Sequence, residues 1–511
     1  MGKYLKLFET HSQYEAYVVG GEYLRPNVSH CISEDDVHYT VPIDWSREYF
    51  TIESLEDNNT IYLKASNTSV TKTISASTDN GKTWQEYTST NTGSGTTLAT
   101  LNGGDKLLIK GQNETYGTTY YNQFRSTGQF EAKGNIMSLI SGDSFTNADE
   151  LTTSYTFNRL FYGCSGLTSA ENLVLPATTL ADYCYRYMFV NCASLITAPD
   201  LPATTLASDC YDYMFSGCTS LTTAPELPAT TLADDCYRSM FAGCTGLTTA
   251  PELPATALTN SCYNYMFSGC TSLTTAPELP ATTLAYYCYR SMFAGCTGLT
   301  TAPDLPATTL ANNCYEYMFA SCKGLVNAPE LPATTMAPKA CSYMFQSCTS
   351  LTTAPELPAT TLSGYCYSNM FAGCTSLVTA PELPATTLAD NCYGSMFSNC
   401  ASLTTAPELP ATTLSSYCYQ YMFNGCTSLV TAPELPATTL VYGCYNGMFK
   451  NCASLNYIKA MFTTAPGGSY TYAWVTGVAS TGTFVKNASA TWTTTGSNGV
   501  PAGWTVQTAS A

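Results

Sequence analysis

The chain has 511 residues, 38 of them tyrosine, with only 11% charged against 45% hydrophobic residues and a formal net charge of -17. Between residues 171 and 455, 6 Lys and Arg face 18 Asp and Glu, which excludes a nucleic-acid partner, since phosphate backbones need clustered basic side chains. No apolar run reaches the roughly 20 residues that cross a bilayer, so no membrane insertion is expected, and Met1 to Tyr23 lack the uninterrupted apolar core of a secretory signal.

Residues 1–45 scatter Tyr, His, Pro and Asn among short apolar stretches and read as an anchoring or docking segment. His11, His30, Cys31 and His38 are the unrepeated metal-type ligands there. Their spacing matches no zinc pattern, so neither a metal nor any other cofactor is expected. Residues 46–133 change to alternating segments such as Thr60-Ile61-Tyr62-Leu63 and Lys106-Leu107-Leu108-Ile109, separated by turn signals such as Asp79-Asn80-Gly81. Short strands with Gly, Asn and Asp turns at this spacing predict a small β-sandwich or barrel, serving as a spacer or as a glycan-binding module. Residues 134–174 begin to imitate the text that follows, in Asn158 to Cys164, and read as an N-terminal cap.

From Leu175 to about Ala460 the chain is one word repeated. Eleven near-copies of 26 residues begin Leu-Pro-Ala-Thr, at Leu175 and every 26 residues thereafter to Leu435, a period that signals a stacked repeat architecture. In the copy Leu227 to Glu252, Leu232, Cys236 and Met240 recur every four residues, with Tyr237 and Phe241 as a second such pair. On a helical wheel they share one half, which predicts a short helix with Asp234, Asp235, Arg238 and Ser239 facing outward. Thr231 is placed to cap its start, and Gly243, in a place that is Gly or Asn in most copies, to end it in a left-handed conformation. Leu247-Thr248-Thr249-Ala250 is the most strand-like part, and Pro251 and Pro254 keep the resulting parallel sheet narrow. In one copy Ala340 and Cys341 occupy the Cys and Tyr places. The paired cysteines of each copy, such as Cys236 and Cys244, read as buried thiols acting as small apolar residues. Residues 461–511, with Trp474, Phe484, Trp492 and Trp504 among Thr and Gly, read as a strand-rich C-terminal cap. The expected fold class is therefore an α/β repeat: a solenoid of eleven 26-residue coils, each with a short helix and a short parallel strand, between an all-β domain and that cap.

The unit Met240-Phe241-x-x-Cys244-x-x-Leu247 followed by Pro251 resembles the leucine-rich repeats of bacterial surface antigens of the BspA-like type, whose units carry Ala-Phe-x-x-Cys-x-x-Leu. Family units are usually a few residues shorter, and the extra length here falls in Asp234-Asp235-Cys236-Tyr237. A short leading segment, a β-domain, such repeats and the ending Gly499-Val500-Pro501-Ala502-Gly503-Trp504 are together similar to virion proteins of phages that infect gut Bacteroidales. The resemblances imply a non-catalytic fibre or decoration protein on a phage particle, held to other virion proteins by its N-terminal segment and presenting the array to a host-cell or mucosal surface. A bacterial cell-surface adhesin and a glycan-binding module are the alternatives.

No histidine follows His38, so a nucleophile–histidine pair is not available inside the array. Its repeated acids sit in similar surroundings, unlike the dissimilar acid pair of a glycosidase. No enzyme is expected. Two surfaces remain as binding candidates. One is the acid after each Ala-Pro: Asp200, Glu226, Glu252, Glu278, Asp304, Glu330, Glu356, Glu382, Glu408 and Glu434. Stacking would align these carboxylates against repulsion of the order of 1 kcal/mol per neighbouring pair, leaving solvated carboxylates, bound cations or a basic partner as readings. The other is the outward face bearing Tyr183, Tyr187, Tyr213, Tyr265, Tyr286, Tyr287, Tyr317 and Tyr421, rings with a flat apolar area and a hydroxyl, suited to a host protein or a glycan. Homo-oligomers are compatible with either.

Overall fold

The structure, a computed structural model, describes residues 43–509 and, ahead of them, only the backbone of one antiparallel hairpin, β1 (Ser29–Ile32) with β2 (Val37–Thr40). The rest of the expected anchoring segment lies outside the described residues. Eight strands follow: β3 (Phe50–Ser54), β4 (Asn59–Ala65), β5 (Thr73–Ser77), β6 (Gln85–Thr88), β7 (Thr96–Leu101), β8 (Lys106–Gly111), β9 (Asn122–Ser126) and β10 (Phe130–Asn135). In β4 every second residue, Asn59, Ile61, Leu63 and Ala65, is buried, as a strand with one covered face requires. One antiparallel sheet runs β10-β3-β8-β5-β6 and another β7-β4-β9, and the core between them holds Phe50, Ile61, Leu63, Ile109 and Phe124. The Asp79-Asn80-Gly81 signal forms its turn, with Asn80 at φ 57 and Gly81 at φ 78. Asp79 accepts hydrogen bonds from the Thr83 backbone and hydroxyl and from Ser77, which pull its carboxyl down to about 2.

Strand β10 also begins the array. Its free edge pairs in parallel with β11 (Leu167–Ser169) and β12 (Leu173–Val174), while a four-residue helix, α1 (Ser138–Ser141), packs beneath β8. Phe50 and Phe124 lie against Phe161, at 6.0 and 5.9 Å between ring centres, so the sandwich core runs without a break into the array.

The expected α/β solenoid is not what the repeats build. Among the described residues no repeat contains a helix, and only the last copy contains a strand, at its end (Tyr457–Ala460); elsewhere the Thr249 position makes only single-residue parallel bridges, to Thr223 and Thr275. The segment read as a helix is instead a ribbon of overlapping four-residue turns. Along residues 209–218 the N–H groups of Asp212, Met214, Ser216 and Cys218 close turns onto the carbonyls three residues back. Those of Asp209, Tyr211, Tyr213, Phe215 and Gly217 donate to the next coil, for example Tyr211 to the Cys236 carbonyl at 3.0 Å. Every fourth residue, Asp209, Tyr213 and Gly217, has positive φ (53, 55 and 75°), which no right-handed helix tolerates in series. The four-residue spacing of apolar side chains is therefore real, but it is the repeat of the ribbon. Gly243 is left-handed at φ 74, yet it continues a row of such places rather than ending a helix, and Thr231 has no helix to cap. The outward assignment changes with it, because Ser239, Asn264 and Asp212 are buried at 2%, 7% and 0% exposure.

With two turns per four residues, the pairs Cys236-Tyr237 and Met240-Phe241 both point inward, and equivalent side chains of successive coils stack. The Phe ladder runs unbroken from Phe161 to Phe449, as in Phe215 on Phe241 at 5.7 Å and 3°. The Tyr ladder, as in Tyr211 on Tyr237 at 5.7 Å and 2°, stops at Cys341, where a small cavity of about 10 Å³ opens among Tyr315, Met336 and Tyr367. Each stacked pair adds roughly 0.5–1.5 kcal/mol to its area burial. Every described cysteine is buried and free. The second of each pair donates its thiol to the Phe carbonyl of the preceding coil, Cys218 to Phe189 at 3.1 Å and Cys244 to Phe215 at 3.1 Å, a contact that an alanine of similar size would not supply.

Both ends of the stack are closed. At the first turn layer, residues 155–163, Tyr116 and Phe124 of the β-domain donate their N–H groups to the carbonyls of Thr156 and Leu160 at 2.7 and 2.8 Å. Beyond the last copy the ribbon continues through residues 469–477, with Ala473 and Gly477 left-handed. There the Ala473 N–H is received by the Asn498 side chain at 2.8 Å and that of Val475 by the Ser497 carbonyl at 3.4 Å. Strands β13 (Tyr457–Ala460), β14 (Thr483–Lys486) and β15 (Thr505–Thr508) form a parallel sheet. Trp474, Trp492 and Trp504 cover the core end, each indole donating to a carbonyl, of Gly499, Phe462 and Ala479 respectively.

Candidate functional site: the left-handed turn face

The turn ribbon keeps two residues in four out of the apolar core, one of them left-handed, and small ones such as Ser239 are covered by their neighbours. Across the copies those left-handed places hold Gly, Asn, Asp and Ser, which tolerate positive φ, and repeatedly tyrosine. Tyr183, Tyr187, Tyr213, Tyr265, Tyr287, Tyr317 and Tyr421 all lie between φ 52 and 59. Tyr286 is not left-handed; it is 44% exposed and its ring lies 3.8 Å from that of Tyr287. A bulky side chain in this conformation costs of the order of 1–2 kcal/mol, and Ser239, Ser291 and Ser395 show that smaller residues serve at the same place.

The structure thus brings seven of the eight tyrosines into two columns of one face, half-buried rather than freely exposed. Some lie on neighbours: Tyr187 is 5.2 Å from Tyr213, and Tyr317 stacks at 4.4 Å on Tyr343. Burial and the Tyr343 phenol push the Tyr317 hydroxyl up to about 12, so it remains a neutral donor at physiological pH. Tyr343, Tyr365 and Tyr417 belong to the same columns at φ 57–59, and Tyr365 is 45% exposed. Sequence reasoning passed over them, although Tyr343 follows Tyr317 by one period and the period alone identifies it.

A charged ladder, also overlooked, runs beside these rings. Asp212, fully buried, receives a two-point hydrogen bond from Arg238, at 3.0 and 3.0 Å, and one from Arg186 at 2.8 Å. Arg238 also reaches Asp235 and Asp209, and Arg290 pairs with Glu316 at 2.8 Å and the Tyr265 hydroxyl at 2.9 Å. Burial pushes the Asp212 carboxyl up against the pull of the two guanidiniums. Those guanidiniums lie over rings, Arg186 at 4.6 Å from Tyr187 and Arg290 at 5.1 Å from Tyr287. Asn264 stands between Arg238 and Arg290 in the same column, and its Oδ1 is buried with no hydrogen-bond partner. From Ser342 onward the column is neutral, through Ser368, Gly394, Gln420 and Asn446.

The acidic column is elsewhere, in the proline-bounded loops. All ten of its carboxylates are exposed; Glu252 and Glu278 line a shallow groove with Pro251, Pro254, Pro277 and Pro280, and Glu434 pairs with Lys459 at 3.0 Å. Among the described residues no group of His, Cys, Asp and Glu is arranged to hold a metal ion. No helix there is long and apolar enough to cross a membrane.

The BspA-type leucine-rich repeat region model matches the chain over residues 140–274, 235–352, 264–385 and 339–474, about two-thirds of its length. The chain belongs to the BspA-type leucine-rich repeat family. Neither a curated protein nor a solved structure matches it.

Proposed function

We propose that this BspA-type repeat protein is a non-catalytic adhesion protein that uses the left-handed turn face to hold a host-cell or mucosal surface. The observation that carries this reading is the placement of tyrosine, in one coil after another, at backbone positions where it is disfavoured and where Ser, Asn or Gly serve in other coils. Strain of this kind, kept where smaller residues complete the same fold in other coils, points to use of the side chain. Many weak equivalent contacts on one rigid chain add through effective concentration. The test is adhesion of the purified chain to mucus-coated surfaces and to bacterial cells, native against a variant with Tyr187, Tyr213, Tyr265, Tyr317, Tyr343 and Tyr421 replaced by serine. Undiminished adhesion of the variant would sink the assignment, and sugar released from mucin would refute its non-catalytic part.

The ending from Gly499 to Trp504 supports a phage particle as the surface that displays the array, anchored to other virion proteins by residues 1–45. The family match favours the bacterial cell surface. Imaging purified particles with an antibody against the array separates the two; particles without label rule out the virion.

A further inference from the structure

We propose that the ligand of this face is a linear, uncharged polysaccharide lying along the stack axis over the second left-handed column; the inference rests on the adhesive reading above and specifies its partner. The column contains Tyr187, Tyr213, Tyr265, Tyr317, Tyr343 and Tyr421, at one coil spacing or a small multiple of it. Rings of successive coils lie 4.4 and 5.2 Å apart in this column and about 6.0 Å apart in the buried Tyr ladder. A surface that repeats by a short translation fits a partner that repeats likewise. A globular protein that is not itself a repeat presents no such translation, whereas a polysaccharide repeats at each sugar, a unit of comparable length.

Charge decides which polymer. Arg186, Arg238 and Arg290 are engaged by Asp212, Asp209, Asp235 and Glu316, so none of these guanidiniums is left to neutralise a sulfate, a phosphate or a uronate, and the single Lys339 in the first column lies over the Tyr365 ring. The array is acidic by 12 charges over residues 171–455, which repels polyanions. What the face offers is aromatic area for the C–H side of a sugar ring, phenol hydroxyls, and carboxamide and carboxylate acceptors for sugar hydroxyls. The Asn264 Oδ1, beside Tyr265, lacks a donor but is closed to solvent, so the rings, phenol hydroxyls and exposed polar groups carry the contact. Such a mixed face is not the core of a protein interface, which is depleted of charge and continuous in apolar area.

The experiment is titration calorimetry with neutral linear glucans and mannans of increasing length, with heparin as the anionic comparison. The native chain is set against Tyr213→Ser, Tyr265→Ser and Tyr317→Ser, singly and together. Serine is the residue other coils carry at this place, and melting temperatures verify that each variant folds. Affinity for at least one neutral series is expected to grow with chain length and to fall roughly 2- to 10-fold for each tyrosine removed, with heparin unbound. Binding that is independent of chain length, or intact in the triple variant, overturns the proposal. If the native chain adheres to cells but binds none of the neutral polymers, the glycan assignment falls and the adhesive reading stands. If it binds a neutral polymer through these tyrosines yet adheres to no surface, the adhesive reading falls and the site remains.

Discussion

Asp209 and Asp212 show how close packing of polar residues sets the chemistry of the turn face. Burial first, and then the nearness of Asp212, push the Asp209 carboxyl up to about 6 from 3.8, with Arg238 pulling the other way. Between those two values the folded chain holds a proton that the unfolded chain has released, so this residue favours folding more as pH falls through 6. The melting temperature of the native chain relative to Asp209→Asn is therefore expected to be higher at about pH 5 than at about pH 7; a flat difference would mean that the carboxyl titrates normally. Asp212→Ala leaves Arg186 and Arg238 facing each other without their shared anion. It is expected to destabilise by about 3 kcal/mol, measured by denaturant unfolding, whereas Asp182→Ala at an exposed place should change little. At this scale the sequence marked Tyr213 and Tyr265 as variable places in a fixed repeat. It was silent about their backbone, because nothing in a tyrosine announces a positive φ. The Arg186–Asp212–Arg238 ladder was present as one column of the period, but opposite charges 26 residues apart become partners only when the coil spacing is known.

The turn ribbon was misread for a physical reason. Apolar residues at i and i+4 mark one side of a helix, yet four residues advance a helix by a full turn and a further tenth or so, so such a stripe drifts. The ribbon has no drift, and its inward pairs Cys236-Tyr237, Met240-Phe241 and then Cys244 keep one direction. The discriminating signal was the residue type every fourth place: Asp235, Ser239 and Gly243 in one coil, Asn391, Ser395 and Asn399 in another. Gly243→Ala tests the ribbon directly. An added Cβ would meet only ordinary contacts, 3.8 Å from Gly217, so the expected loss of about 1 kcal/mol is conformational; Gly243→Asn, the residue found at Asn191 and Asn399, should lose less. In a helix C-terminus the same substitution would cost similarly, but Ser239→Ala would be neutral or helpful there, whereas in the ribbon it is expected to destabilise because Ser239 has φ 53.

For the whole molecule, the sandwich and the tryptophan-rich end serve the array as lids, since each coil stabilises only its neighbours and the terminal ones would otherwise face water. Removing residues 487–511 would uncover Phe462, Trp474 and Phe484, and the shortened chain is expected to elute as aggregates on gel filtration while the full chain does not. Between the lids the thiols are shut away. Burial pushes Cys164 up to about 11 and Cys244 up to about 12, so a thiol reagent should leave the array unmodified until denaturant is added. The existence of the array and of strands before it was legible in the 26-residue period and in alternation such as that of β4. The way β10 joins the two was not, because parallel pairing to Leu167–Ser169 and Leu173–Val174 leaves no local mark. One consequence follows from the direction of the bonds between coils. Every inter-coil N–H in the ribbon, from Phe157 to Cys184 through Phe449 to Trp474, points the same way along the axis. Their peptide dipoles therefore sum as they do in a helix, and the stack is electrically polar from end to end. Its carbonyl-bearing, negative end lies under the amides of Tyr116 and Phe124, and its amide-bearing, positive end lies under Asn498, so the two lids are of opposite chemical kind and neither could replace the other.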